Sequence, residues 1–82
     1  MDLKFILTAT KRTGSDRLHL VNRGTQDTPF VVCWNYSTKH KSWVWGTYSD
    51  TLKEALHIFS QKCCEFGFDD VVEGYVDMKS SI

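Results

Sequence analysis

Phe30-Val31-Val32-Cys33-Trp34-Asn35-Tyr36, followed after a polar tip by Ser42-Trp43-Val44-Trp45-Gly46-Thr47-Tyr48, is the densest run of β-branched and aromatic residues in the chain. Such side chains suit a pleated, half-buried surface, so the two segments predict neighbouring antiparallel strands joined through Ser37-Thr38-Lys39-His40-Lys41. Both faces of the first segment carry apolar groups. The two-residue period puts Trp34 and Tyr36 on one face with Phe30 and Val32. On the next strand it puts Trp43 and Trp45 on one face, and Val44 and Tyr48 on the other. Gly46 within that strand signals a bulge or a close backbone approach.

Upstream, residues 3–9 alternate so that Leu3, Phe5 and Leu7 share a face. A polar turn with Gly14 leads to a second alternating stretch at 17–22, with Leu18 and Leu20 on one side and His19 and Val21 on the other. His19 is read as facing solvent. Pro29 stands just ahead of the third strand, where its missing N–H does least harm. Downstream, Leu52, Ala55, Leu56, Phe59, Cys63 and Phe66 fall on one continuous helical face. Thr51 with Glu54 matches a capping box, Asp50 being the competing cap, and Gly67 stands where a left-handed glycine would end the helix. The tail is ambiguous: Val71, Val72, Tyr75 and Val76 suit a short edge strand, whereas Gly74 and the acidic residues argue for a weak one. The last four residues, Lys79 to Ile82, read as frayed. The expected fold is therefore α+β, an antiparallel sheet of four strands, five if the tail joins, with one amphipathic helix on one face.

The 82 residues fit one domain, 1–82, and the 41% hydrophobic and 24% charged content is that of a folded chain rather than a disordered one. No apolar run approaches the roughly 18 residues of a membrane span. Met1 to Leu7 has an acidic second residue and too short an apolar run for a signal peptide. Cys33, Cys63 and Cys64 are odd in number and spell no CxxC, which points to reduced thiols packed as small apolar groups in a cytoplasmic setting. Cys63 and Cys64 point about 100° apart on a helix, so with His57 they make a poor metal set, and no metal or cofactor is expected. His19, His40 and His57 are not brought together by any spacing, and no catalytic constellation is expected.

The net charge is zero, which argues against a generally basic nucleic-acid binder. The charges are uneven, however: basic residues dominate up to residue 62, whereas Glu65, Asp69, Asp70, Glu73 and Asp77 face only Lys79 beyond it. Two contact surfaces follow. One is an aromatic and basic hairpin of Trp34, Tyr36, Lys39, His40, Lys41, Trp43 and Trp45, on the reasoning that one helix shelters one sheet face and leaves rings exposed on the other. The second is the acidic tail from Glu65 to Asp77, a mimic of nucleic-acid charge toward a basic partner. Both suit a non-catalytic protein-binding module. Stacking of single-stranded nucleic acid on the sheet aromatics beside the basic loop is the alternative, and self-association through an uncovered sheet face or edge is a third.

The run Val31-Val32-Cys33-Trp34-Asn35-Tyr36, then Trp43, Gly46 and Tyr48, then Thr51-Leu52-Lys53-Glu54-Ala55-Leu56 with Phe59, resembles a pattern of short proteins of Gram-positive phages and mobile elements: a VVxWNY strand, a W..G.Y strand and a TLxEAL..F helix. It covers residues 30–62. The resemblance implies a phage-associated accessory protein that binds and blocks a host protein, in the manner of anti-CRISPR and other anti-defence inhibitors, and it brings no catalytic residues with it.

Overall fold

The computed structural model describes residues 3–25 and 27–77. The frayed end expected at Lys79 to Ile82 lies outside them. Five strands and one helix run in the order β1 (Lys4–Thr10), β2 (Arg17–Asn22), β3 (Phe30–Ser37), β4 (Ser42–Ser49), α1 (Leu52–Phe66) and β5 (Asp70–Glu73). They form one antiparallel sheet with strand order β4-β3-β2-β1-β5. The α+β class is as expected, and the tail does add the fifth strand.

The first four strands form a meander, so the chain leaves β4 at one edge and must reach the far edge to lay down β5. Helix α1 makes that crossing. Its 15 residues extend about 22 Å, a little more than the roughly 19 Å spanned by four inter-strand gaps. Thr51 caps it, its hydroxyl accepting the Glu54 N–H at 3.2 Å, and Gly67 at φ 74 closes it with its N–H on the Cys63 carbonyl. Ala55 and Phe59 are fully or nearly buried against Ala9, Leu18, Leu20 and Val32, with Ile6, Leu7, Phe30, Trp34, Ile58, Cys63 and Phe68 around them. Leu52, Leu56 and Phe66, expected in the same stripe, remain about two-fifths exposed, because a single helix laid over a twisted sheet buries only the line it touches.

Three bulges set the facing of the side chains. The β1–β2 register shifts between Phe5 and Leu7, so Leu3 and Phe5 turn to the face opposite α1, while Leu7 stays beneath the helix. This corrects the expectation that the three share a face. Between Trp34 and Ser37, β3 carries an extra residue, and Asn35 sits there at φ 51. Its side chain locks the bulge, accepting the Arg17 N–H at 2.7 Å through Oδ1 and donating to Asp16 Oδ1 at 3.1 Å. Directly across the hairpin, Cys33 pairs with Gly46 and Trp34 with Val44, which leaves Trp45 as the extra residue of β4 at φ 33. The two bulges cancel in length, and the hairpin resumes pairing at Ser37 and Ser42.

Opposite the helix, a second cluster forms from Val21, Val31 and Cys33 with Leu3, Phe5 and Trp43. Trp43 lies against the backbone of Gly46. A Cβ there would stand 3.0 Å from the Trp43 Nε1 and 2.9 Å from Val31 Cγ2, so glycine is what lets the indole down onto the sheet. Gly46 thus serves both readings made of it, neighbouring the bulge and permitting the close approach.

Candidate functional site

The bulges redistribute the aromatic residues that the two-residue period had grouped. Trp34 faces α1, in edge contact with Phe66 at 5.0 Å and tilted against Phe68 at 5.4 Å. Tyr36 turns to the other face and is only 8% exposed, packed against Phe5, Trp43 and Tyr75. Trp43 is half-buried on that face, and Val44 and Tyr48 lie on opposite faces, paired with Trp34 and Val31. Trp34 keeps the face it was expected to share with Phe30 and Val32, whereas the placements of Tyr36, Trp43, Val44 and Tyr48 correct the face-sharing read from alternation.

The face away from the helix is not left open. Its rings shelter one another, and residues 74–77 lie across them: the Tyr75 ring stands 4.8 Å from Phe5, 5.3 Å from His19 and 5.9 Å from Tyr36. Arg17 Nε donates to the Asp77 carbonyl at 3.1 Å, and the Tyr75 hydroxyl shares its proton between Asp77 Oδ1 at 2.8 Å and the Tyr36 carbonyl at 3.1 Å. Burial, with Asp77 beside it, pushes the Tyr75 phenol up to about 12.

Beneath this strap lies His19, fully buried rather than solvent-facing. The Thr8 hydroxyl donates to the Gly74 carbonyl at 2.7 Å, so its only proton is committed and it must accept from His19 Nδ1, 3.0 Å away. The neutral ring therefore carries its proton on Nδ1, leaving Nε2 buried with no hydrogen-bond partner among the described residues. Burial first, and the Arg17 guanidinium second, lower the His19 pKa to about 4 against an opposing pull from Asp77. Burial likewise raises the Cys33 thiol to about 12 and raises that of Cys63.

The most exposed ring among the described residues stands on the helix side, at the β4 edge. Trp45 is 80% exposed and, with Val32, Trp34, Val44, Thr47 and Phe66, lines a cleft of about 480 Å³ between β4 and the last turns of α1. Lys11, Lys62, Asp16 and Asn35 complete its rim. The two lysines lie over neighbouring rings, Lys11 Nζ 4.9 Å from the Phe68 centroid and Lys62 Nζ 6.0 Å from that of Phe66. Alternation had missed Lys11, Lys62 and Phe66 as neighbours of Trp45, because only the fold brings the β1–β2 loop and the helix end to the hairpin. Lys39, His40 and Lys41 are exposed at the hairpin tip, outside the residues that line the cleft.

The acidic tail is strung out rather than gathered. Glu65 is on the exposed side of α1. Asp69 accepts the Arg12 N–H at 2.8 Å, and with Asp70 it shares a shallow hollow with Lys11 and Arg12. Glu73 closes β5 about 10 Å along the strand from Asp70, and Asp77 belongs to the strap. Among the described residues no three His, Cys, Asp or Glu side chains gather closely enough to hold a metal ion, and no helix is long and apolar enough to cross a membrane. No protein-family model, curated protein or solved structure matches the chain.

Proposed function

We propose that the chain is a non-catalytic protein-binding module that contacts its partner through the cleft between β4 and α1, with Trp45 as the anchor. One observation carries this reading. A bulky aromatic at φ 33 pays of order 1–3 kcal/mol in backbone strain, and a ring left 80% in water recovers almost none of it by burial. Folding of the chain alone gives no reason for tryptophan there, whereas an interface does, since tryptophan supplies large contact area for two frozen torsions. The apolar floor of Trp34, Val44 and Phe66 beside it provides the desolvated surroundings an anchor needs.

The resemblance of residues 30–62 to short phage and mobile-element proteins supports the narrower reading, a phage-encoded inhibitor that binds and blocks a host defence protein. The test is capture from host lysate with wild type and Trp45→Gly side by side. A discrete host protein retained by wild type and lost with the variant, whose circular dichroism is unchanged, supports the reading. Equal capture by both removes Trp45 from the interface. The lysines on the rim favour one competing reading, base stacking of single-stranded nucleic acid. Tight, salt-sensitive retention of single-stranded oligonucleotides in place of a protein would establish that one instead.

A further inference from the structure

Strand β4 is an outer strand of the sheet, so among the described residues one row of its backbone N–H and C=O groups has no strand beside it. Native edges are commonly guarded by a charge, a proline, a bulge or shortness; Ser42–Ser49 is eight residues long with no charge and no proline, and its one such guard is the bulge at Trp45. Its charges come immediately outside it: Lys41 before the first residue and Asp50 after the last, both exposed. A strand positive at one end and negative at the other is complementary to an antiparallel copy of itself.

The register follows from the ends. A two-fold axis between Trp45 and Gly46, perpendicular to the sheet, sets Ser42 opposite Ser49, Trp43 opposite Tyr48 and Val44 opposite Thr47, and brings Lys41, in the turn at φ 52, to the end of the pair where Asp50 of the second copy stands. A regular strand forbids this. Residues directly opposite in an antiparallel pair point to the same face, whereas Val44 and Thr47, three apart, would point to opposite faces. The extra residue at Trp45 removes the conflict. Val44 pairs with Trp34 and Thr47 with Val32, both on the helix face. Trp43 packs in the cluster of Val31, and Tyr48 pairs with Val31, both on the other face. The bulge sits at the axis in each copy, so the two strands stay in step on either side of it.

We infer that the free edge of β4 is a self-association surface, on which a second copy of this chain pairs antiparallel with Lys41 beside Asp50. The result is a continuous ten-stranded sheet with both helices on one side and two Trp45 residues flanking the axis. Each charge pair and each Trp43–Tyr48 pair occurs twice. The surface is the backbone edge of β4 and does not rest on the proposed partner, although Trp45 borders both it and the cleft.

The experiment is sedimentation equilibrium of the full chain from low to high micromolar concentration, with circular dichroism as the check that each variant is folded. Wild type associates to a dimer. Lys41→Glu alone sets carboxylates against Asp50 twice, and Asp50→Lys alone sets two cations together, each weakening the dimer about tenfold or more. The double exchange Lys41→Glu with Asp50→Lys restores it, which a merely local effect on the turn or the helix start would not do. A monomer at every concentration, a dimer indifferent to the single exchanges, or a double exchange that fails to recover would each overturn the inference.

Discussion

Three single residues set the character of the molecule. Gly46 holds the space beneath Trp43, and a methyl group there meets Val31 and the indole at or inside 3.0 Å. Gly46→Ala is expected to lower stability by about 1–3 kcal/mol, read as a drop in urea midpoint at unchanged slope. Trp45 illustrates the opposite case. Replacing it with glycine relieves the strained φ and gives up little buried area, so Trp45→Gly is expected to raise stability by about 1 kcal/mol in the same assay. A loss of stability would place the indole in the core. His19 ties stability to acidity. The unfolded chain takes up its proton near pH 6.5 and the native one near pH 4, so between those values the unfolded state binds more protons and stability falls as pH falls. The loss reaches about 3 kcal/mol below pH 4. Denaturation of wild type and His19→Leu at pH 7 and pH 4 checks it: the wild type should lose that much more than the variant.

At the scale of elements, α1 was the most legible. Thr51 and Gly67 act locally and did in the fold what they promised in the sequence, and the apolar spacing placed the helix, although only Ala55 and Phe59 of its six-residue stripe are buried. Thr51→Ala should cost about 1 kcal/mol through loss of the cap on the Glu54 N–H, measured by thermal unfolding. All four meander strands were legible too, because their alternation and turn residues are local signals. The facing of side chains was legible in β2, where Leu18 and Leu20 turn to the helix and His19 and Val21 away from it, but not across the bulges, and the reason is countable residue by residue. One extra residue between Phe5 and Leu7, one at Asn35 and one at Trp45 each flip everything on one side of them, and only Gly46 hinted at any of the three. The cleft followed the same rule. Trp34 and Trp45 were named together as contact residues, but their shared wall depends on bulges, and Lys11, Lys62 and Phe66 reach it only through long-range packing. His19 was misplaced because the strap that covers it comes from residues 74–77, more than fifty positions away.

For the whole molecule, the arrangement is a sheet sheltered by a helix on one face and by a thin strap on the other, and the strap is the weaker cover. Tyr75 is its principal contact, touching Phe5, His19 and Tyr36. Tyr75→Ala should destabilise by about 2–4 kcal/mol and speed hydrogen exchange of the β1 and β5 amides more than those of β3. Uniform acceleration across the sheet would show that the strap and the core open as one unit. The position of β5 beside β1 also orders events in the cell. A growing chain emerges from its N-terminus, so β1 to β4 and the helix become available first, yet β1 has one side unpaired and the His19 face stays uncapped until the final strand has been synthesised. Pairing of β5 with β1 thus joins segments some sixty positions apart, and a nascent chain halted before residue 70 would present to chaperones or proteases the ring cluster that residues 74–77 cover.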